Sequence, residues 1–179
     1  MNPHLQLILG GARSGKSRFA LNQGNEKDFE PRIFLATATA LDPEMTRRIR
    51  HHQEERGSQW KTVEEPYGLL AALEACPHSP RGLVVVDCAT LWISNLLCGV
   101  GGKKLSPVEI EKLFEQFLGE APRLKGCLRI ISNEVGLGIV PENELSRQFR
   151  DLQGRFNQSA AAVADEVFLI VAGIPQKIK

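Results

Sequence analysis

The 179-residue sequence has no apolar stretch long enough to cross a bilayer, so no membrane span is predicted. Its opening residues, Met1-Asn2-Pro3-His4, carry no basic region ahead of an apolar one, and no secretory signal is expected. Neither sign of charge is in excess: 22 Lys and Arg face 21 Asp and Glu, a formal net charge of +1. Such a chain has no global electrostatic drive towards DNA, RNA or an acidic membrane, so no nucleic-acid partner is expected. A local phosphate site stays open, because it needs only a few donors. Cysteine is scarce, with Cys76, Cys88, Cys98 and Cys127 forming no CxxC pair. That pattern offers no zinc or redox motif and predicts reduced, mostly buried thiols in a cytoplasmic protein. Repeats, low-complexity tracts and linkers are also missing, so residues 1–179 are read as one domain with a single sizeable core.

What the chain does have is an alternation of strand-like and helix-like segments. Leu5–Leu9, Ile33–Ala36, Gly82–Asp87, Cys127–Ser132 and Val167–Ala172 are short apolar runs without alternation, the pattern of strands covered on both faces. Trp60–Val63 is a further short strand candidate. Helices are predicted from Ser17 to about Gln23, Asp42 to Arg56, Tyr67 to Ala75 and Leu91 to Leu97. Ser106-Pro107-Val108-Glu109 is a capping box with proline at the first helical position, opening a helix to about Glu120. The longest helix is predicted over Glu142–Ala164, with Leu145, Phe149, Leu152, Phe156 and Val163 near one face. Gly99–Lys104 is the candidate mobile loop. The expected fold is α/β, a three-layer arrangement of the P-loop NTPase type around a mostly parallel sheet.

The strongest motif is Gly10-Gly11-Ala12-Arg13-Ser14-Gly15-Lys16-Ser17, which matches GxxxxGK[ST] between a strand and a helix. Glycines let successive backbone N–H groups converge on phosphate oxygens. The helix N-terminus beyond Gly15 adds positive potential. Lys16 is expected to reach the β- and γ-phosphates and the Ser17 hydroxyl to hold Mg²⁺. The bland alternative is a tight glycine turn. A partner acid is expected at the end of a neighbouring strand, and Asp87 fits, although it could instead be a helix cap. Ligands collect at the carboxyl ends of parallel strands, which also draws in Thr37, Thr39, Asn133 and Glu134 as weaker candidates.

His51 and His52 are adjacent on the predicted Asp42–Arg56 helix and point about 100° apart. His52 shares a stripe with Met45 and Ile49 and reads as half-buried packing. His51 lies off that stripe, four residues from Arg47 and from Glu55, where a neutral imidazole is available as a nucleophile. A solvated surface histidine is the alternative. Adjacent histidines make poor metal geometry on a helix, where ligands face one another at i,i+4.

At these residues the chain resembles the bifunctional adenosylcobinamide kinase/adenosylcobinamide-phosphate guanylyltransferase family of cobalamin biosynthesis. The matching pieces are GGARSGKSRFA (Gly10–Ala20), ATATALDPEMTRRIRHHQEER (Ala36–Arg56), WKTVEEP (Trp60–Pro66) and VDCATLWISNLL (Val86–Leu97). SNEVGLGIVPENELSRQFRDLQGRFNQ (Ser132–Gln158) and ADEVFLIVAGIPQKIK (Ala164–Lys179) complete them. The resemblance implies two reactions. ATP or GTP phosphorylates the aminopropanol hydroxyl of adenosylcobinamide. GTP then gives GMP to a histidine, here His51, and on to adenosylcobinamide phosphate, forming adenosylcobinamide-GDP. It implies nucleotide contacts at Gly10–Ser17, at Thr37, Ala38 and Thr39, at His52, Gln53, Glu54 and Glu55, and at Glu64 and Asp87. It also implies Mg²⁺ and a homo-oligomer. Two other readings stay open on residues alone: a P-loop kinase of another small hydroxylated metabolite, and a nucleotide-driven switch that acts on a macromolecule.

Overall fold

The computed structural model describes residues 4–26, 29–40, 43–44, 46–47, 56–77 and 79–179. Their elements, in chain order, begin with β1 (His4–Gly10), α1 (Lys16–Glu26), β2 (Arg32–Ala36), β3 (Lys61–Glu64) and α2 (Leu69–Glu74). They continue with β4 (Leu83–Asp87), α3 (Ala89–Cys98), α4 (Pro107–Glu120), β5 (Cys127–Asn133), α5 (Glu144–Val163), β6 (Glu166–Val171) and β7 (Ile174–Lys177). One seven-stranded sheet runs β3-β2-β4-β5-β1-β6-β7, parallel except for the antiparallel β6–β7 pair. This is the expected α/β P-loop type.

Side chains on the central strands alternate between two cores. Leu5, Leu7 and Leu9 of β1 and Val84 and Val86 of β4 face one; Ile8 of β1 and Leu83 and Val85 of β4 face the other. Both faces are therefore dry, which is why these strands read as unbroken apolar runs. The larger core sits under α2 to α5 and is organised around Trp92. Its ring meets Phe114, Phe117 and Phe156 at centroid distances of 5.8, 5.5 and 6.2 Å. Tilted and edge-on aromatic pairs of this kind each add about 0.5–1.5 kcal/mol beyond area burial. The smaller core, under α1, joins Ala20 and Leu21 to Phe34 and Trp60.

One polar row crosses this frame. Gln6 on β1 lies in register with Arg129 on β5 and Glu166 on β6. Arg129 Nε donates to Gln6 Oε1 at 2.7 Å, and Gln6 Nε2 donates to Glu166 Oε2 at 2.6 Å. Arg129 also donates to the Ala20 carbonyl at 2.6 Å, tying α1 to the sheet. The Lys177 ammonium, then Gln6, and a smaller contribution from His4 hold the Glu166 carboxyl down to about 2. A buried guanidinium needs such partners, and this row is structural.

Several boundaries move from those the sequence suggests. The Glu65 carboxylate accepts from the Tyr67 and Gly68 N–H groups, so α2 begins at Leu69 rather than Tyr67. Helix α3 starts immediately after β4, at Ala89 rather than Leu91, with Cys88 as its N-cap. Asn143 Oδ1 accepts from Ser146 N at 2.7 Å and starts α5 at Glu144, two residues after the predicted Glu142. The Ser106–Glu109 capping box is present, a feature worth about 1 kcal/mol. On α5, Leu152 and Phe156 are buried and Phe149 packs partly, but Leu145 and Val163 near the helix ends are exposed. The apolar stripe is shorter than predicted. The Gly99–Lys104 loop carries fixed contacts: the Tyr67 hydroxyl donates to the Lys103 carbonyl at 2.7 Å. Gly102 lies so close to the Tyr67 ring that a Cβ there would fall 2.7 Å from it. Strand β7 was not expected. Cys76, Cys88 and Cys127 are buried and Cys98 is exposed, and none of them forms a disulfide.

Candidate nucleotide site

The phosphate loop occupies the turn from β1 into α1. Gly10 has φ +152°, and a Cβ there would lie 2.5 Å from the Ile170 carbonyl oxygen, so the first loop position admits only glycine. Arg13 and Gly15 also take positive φ, at 57° and 98°. Lys16 is 6% exposed, and its ammonium donates to the Gly10 and Gly11 carbonyls at 3.0 and 2.6 Å. Burial pushes its pKa down, opposed by Cys88 and Asp87. The Ser17 hydroxyl donates to Asp87 Oδ2 at 2.6 Å. The structure thus brings the end of β4 against the loop, as the sequence reading expects. A hydroxyl and a carboxylate in contact beside a buried ammonium form a donor set that suits a hard divalent cation and phosphate oxygens.

A cavity of about 1220 Å³ opens over the loop. That is ample for a nucleotide, since small-molecule pockets usually measure roughly 300–1,000 Å³. Asp87, Cys88, Asn133 and Leu91 line it from β4, α3 and β5; Ala172 and Gly173 line it from the β6–β7 turn. Burial, then the neighbouring Asp87, pushes the Cys88 thiol up to about 12. It is a neutral thiol at pH 7 and not a nucleophile.

Pro43, Glu44, Thr46 and Arg47 are helical, as the predicted Asp42–Arg56 helix requires. Glu44 and Arg47 line the same cavity. His51, His52, Gln53, Glu54 and Glu55 lie outside the described residues, as do Asp42, Met45 and Ile49. Beyond them Arg56 is buried, its guanidinium 4.0 Å from the Phe34 ring centre. Burial pushes its pKa down, and the Asp87 and Glu64 carboxylates oppose that shift.

The other candidates fall on the same edge of the sheet with different roles. Ala36 pairs in register with both Glu64 and Asp87, so Glu64 is two strands from Asp87, about 10 Å, on the same face of the sheet, and is exposed. Thr37 is fully buried. Its hydroxyl donates to the Cys88 carbonyl and accepts from Cys88 N, both at 2.8 Å, which fixes the β2 and β4 ends. The Thr39 hydroxyl oxygen is buried and without a hydrogen-bond partner among the described residues. Asn133 N donates to the Thr90 hydroxyl, and Glu134 N donates to the Gly10 carbonyl, so the exit of β5 is laid against the loop. The sequence reading missed Arg18, Cys88, Leu91, Ala172 and Gly173 as cavity residues. The Ala-Gly pair at the end of an apolar run was the available signal for the last two.

Loop, acid and sheet order together define a P-loop nucleotide-binding protein of the three-layer α/β type. Solved structures agree at the level of fold. A flagellar accessory protein from Methanocaldococcus jannaschii superposes with a TM-score of 0.52 at 12% identity, covering 98% of this chain and 78% of that one. A protein from Pyrococcus horikoshii OT3 gives 0.57 at 8% identity, covering 98% and 86%. Sequence comparison narrows the class. Residues 6–178 match the family described as cobinamide kinase / cobinamide phosphate guanyltransferase, and the chain belongs to that family. Relatives called bifunctional adenosylcobalamin biosynthesis protein are 40% identical in Escherichia coli K12, over 97% of this chain and 98% of the relative. One in Pseudomonas aeruginosa is 44% identical, over 97% and 96%.

Proposed function

We propose that this chain carries out both reactions of its family at the one P-loop site, as a single nucleotide-binding domain. The observation that carries the reading is Arg47 lining the phosphate-loop cavity. On the helix that the sequence predicts over Asp42–Arg56, His51 follows Arg47 by four, the spacing of one face, and that expectation supports His51 as the guanylylated residue. In the kinase reaction the acceptor hydroxyl of adenosylcobinamide attacks the γ-phosphorus of ATP or GTP. The bond to the β-phosphate breaks, ADP or GDP departs, and the hydroxyl proton passes to solvent. In the second reaction an imidazole nitrogen of His51 attacks the α-phosphorus of GTP, pyrophosphate departs, and an N–P bond forms with loss of the imidazole proton. A phosphate oxygen of adenosylcobinamide phosphate then displaces the histidine and yields adenosylcobinamide-GDP. The covalent step lets pyrophosphate leave before the bulky acceptor is engaged.

Lys16 and the loop N–H groups hold phosphate oxygens in both steps. Ser17 and Asp87 are the residues that would hold Mg²⁺, which when bound neutralises charge on the phosphates. Asp87→Asn keeps shape and removes charge. It is expected to raise the Mg²⁺ concentration for half-maximal activity and to lower turnover more than nucleotide affinity; an unchanged Mg²⁺ requirement would make Asp87 a turn residue. No helix of the described residues is long and apolar enough to cross a membrane, and the reading places the enzyme in the cytoplasm without a nucleic-acid partner. Leu137 and Ile139, almost fully exposed after β5, support a homo-oligomer. The decisive test is intact mass after incubation with Mg²⁺ and GTP. One added GMP is expected; no adduct under conditions that support kinase turnover would leave only a kinase.

A further inference from the structure

Strand β5 lies between the phosphate-loop strand β1 and the acid strand β4. Its last residue, Asn133, pairs in register with Gly10, and Ile131, two residues earlier, pairs with Asp87. Alternation along a strand puts Asn133 and Ile131 on one face, so Asn133 stands beside the head of the loop and about 8 Å, Cα to Cα, from Asp87. Asn133, Ile131 and Asp87 all line the cavity.

The backbone of Asn133 is held from two helices. Strand β4 ends at Asp87, so the Asn133 N–H lies beyond its last ladder bond, and the Thr90 hydroxyl of α3 accepts from it at 2.7 Å. From α5, Asn157 Nδ2 donates to the Asn133 carbonyl at 3.1 Å. Asn157 is itself fixed: its Oδ1 accepts from the Ser132 hydroxyl at 2.7 Å and from Gln153 Nε2 at 3.0 Å. Ser132, Gln153 and Asn157 are all buried, and a satisfied polar network in a core rigidifies what it holds. The side chain mounted on this rigid backbone is uncommitted: the Asn133 carboxamide has no hydrogen-bond partner among the described residues. The cavity wall around it is apolar, formed by Leu91, Ile131 and the neutral thiol of Cys88.

We propose that Asn133 holds the acceptor hydroxyl of the kinase reaction, with Leu91 and Ile131 against the carbons that carry it. The assignment rests on the function proposed above. The phosphates have charged partners of their own in Lys16 and the Ser17–Asp87 pair, together with the loop N–H groups. A neutral carboxamide among apolar neighbours suits instead a neutral hydroxyl on a short alkyl arm. Oδ1 accepts a hydrogen bond from the hydroxyl and thereby turns the hydroxyl oxygen towards the γ-phosphorus. The carboxamide takes no proton. As the new O–P bond forms and the bond to the departing ADP or GDP breaks, the hydroxyl proton passes to solvent. Phosphoryl transfer depends chiefly on positioning, so a neutral group that orients the nucleophile accelerates it. Attack of His51 on GTP involves no acceptor hydroxyl and does not use Asn133.

Three measurements on the full chain with Mg²⁺ test this: kinase kinetics with adenosylcobinamide and ATP, GMP labelling with GTP alone, and a thermal melt. Asn133→Ala is expected to lower kcat/KM for adenosylcobinamide roughly 100-fold, with the KM for ATP and the labelling rate within about threefold of wild type. Its melting temperature is expected to stay within about 3 °C, because the side chain has no protein partner to lose. Asn133→Leu keeps the bulk but cannot hydrogen-bond, and is expected to match Asn133→Ala. An unchanged kcat/KM in either variant would overturn the proposal. Equal loss of labelling and kinase activity, or a matching rise in the KM for ATP, would make Asn133 a phosphate ligand and overturn it too. A loss that follows a lowered melting temperature would reduce Asn133 to a structural residue. Wild type that neither labels nor phosphorylates adenosylcobinamide would instead overturn the proposed function itself, and the role of Asn133 with it.

Discussion

Lys16→Ala is expected to reduce both the kinase and the guanylyl-transfer rates by about 100- to 1,000-fold, the usual loss when one positioned donor to a charged transition state is removed. Both reactions cleave a phosphoanhydride held by the same loop, so one ammonium serves both. The side chain is buried, which raises the question of whether the variant folds. Its two carbonyl partners each keep a backbone donor: Glu134 N reaches the Gly10 carbonyl at 3.0 Å, and Ser14 N reaches the Gly11 carbonyl at 3.3 Å. No acceptor is stranded, and the cost in stability is expected to be small beside the loss of rate. Steady-state rates for each half-reaction, with a thermal melt on the same sample, separate the two effects. An unchanged kinase rate in a folded Lys16→Ala would remove the loop from the chemistry.

The parts of this molecule legible from sequence are those in which local chemistry decides the outcome. The loop is one, since Gly10 tolerates no Cβ and Lys16 and Ser17 are fixed to the first turn of α1. The Ser106–Glu109 cap is another, because both its hydrogen bonds are made within four residues. The central strands are a third, since burial on both faces leaves an unbroken apolar run. What was not legible depends on contacts far apart in the chain. Strand β7 is exposed along its length and gives no apolar signal; it pairs with β6 through an Ala-Gly turn that Ser14, some 160 residues earlier, helps to hold. Thr37 looked like a ligand because it follows a strand, yet its hydroxyl is committed to the Cys88 backbone 51 residues away. Helix starts moved for the same reason at smaller range: the Glu65 carboxylate takes the N–H groups that would have begun α2 at Tyr67. Arg18 sits inside the loop helix, but its place over Gly173 is invisible until the sheet brings the last hairpin alongside the loop.

His51→Ala is expected to abolish stable GMP labelling and guanylyl transfer while sparing a substantial part of the kinase activity. On the proposed mechanism, γ-phosphoryl transfer uses the loop, Lys16 and the Ser17–Asp87 pair and needs no covalent histidine. The two histidines make the argument sharp. Arg47 lines the cavity, and on the helix predicted from the sequence His51 follows it by four, the spacing of one face. Residue 52 precedes Arg56 by four, and Arg56 is turned onto the Phe34 ring at the sheet. His52→Ala is accordingly expected to label as wild type does and to lose about 1–2 kcal/mol of stability through its packing. The wild-type adduct is expected to be acid-labile and alkali-stable, as an N–P bond to imidazole is, whereas a serine ester of phosphate shows the opposite pattern. Intact mass after incubation with GTP, followed by acid and alkali treatment of the labelled chain, reads all of this in one series. Label that persists in His51→Ala and vanishes in His52→Ala would reverse the helix faces. An adduct that withstands acid would place the GMP on a residue other than histidine.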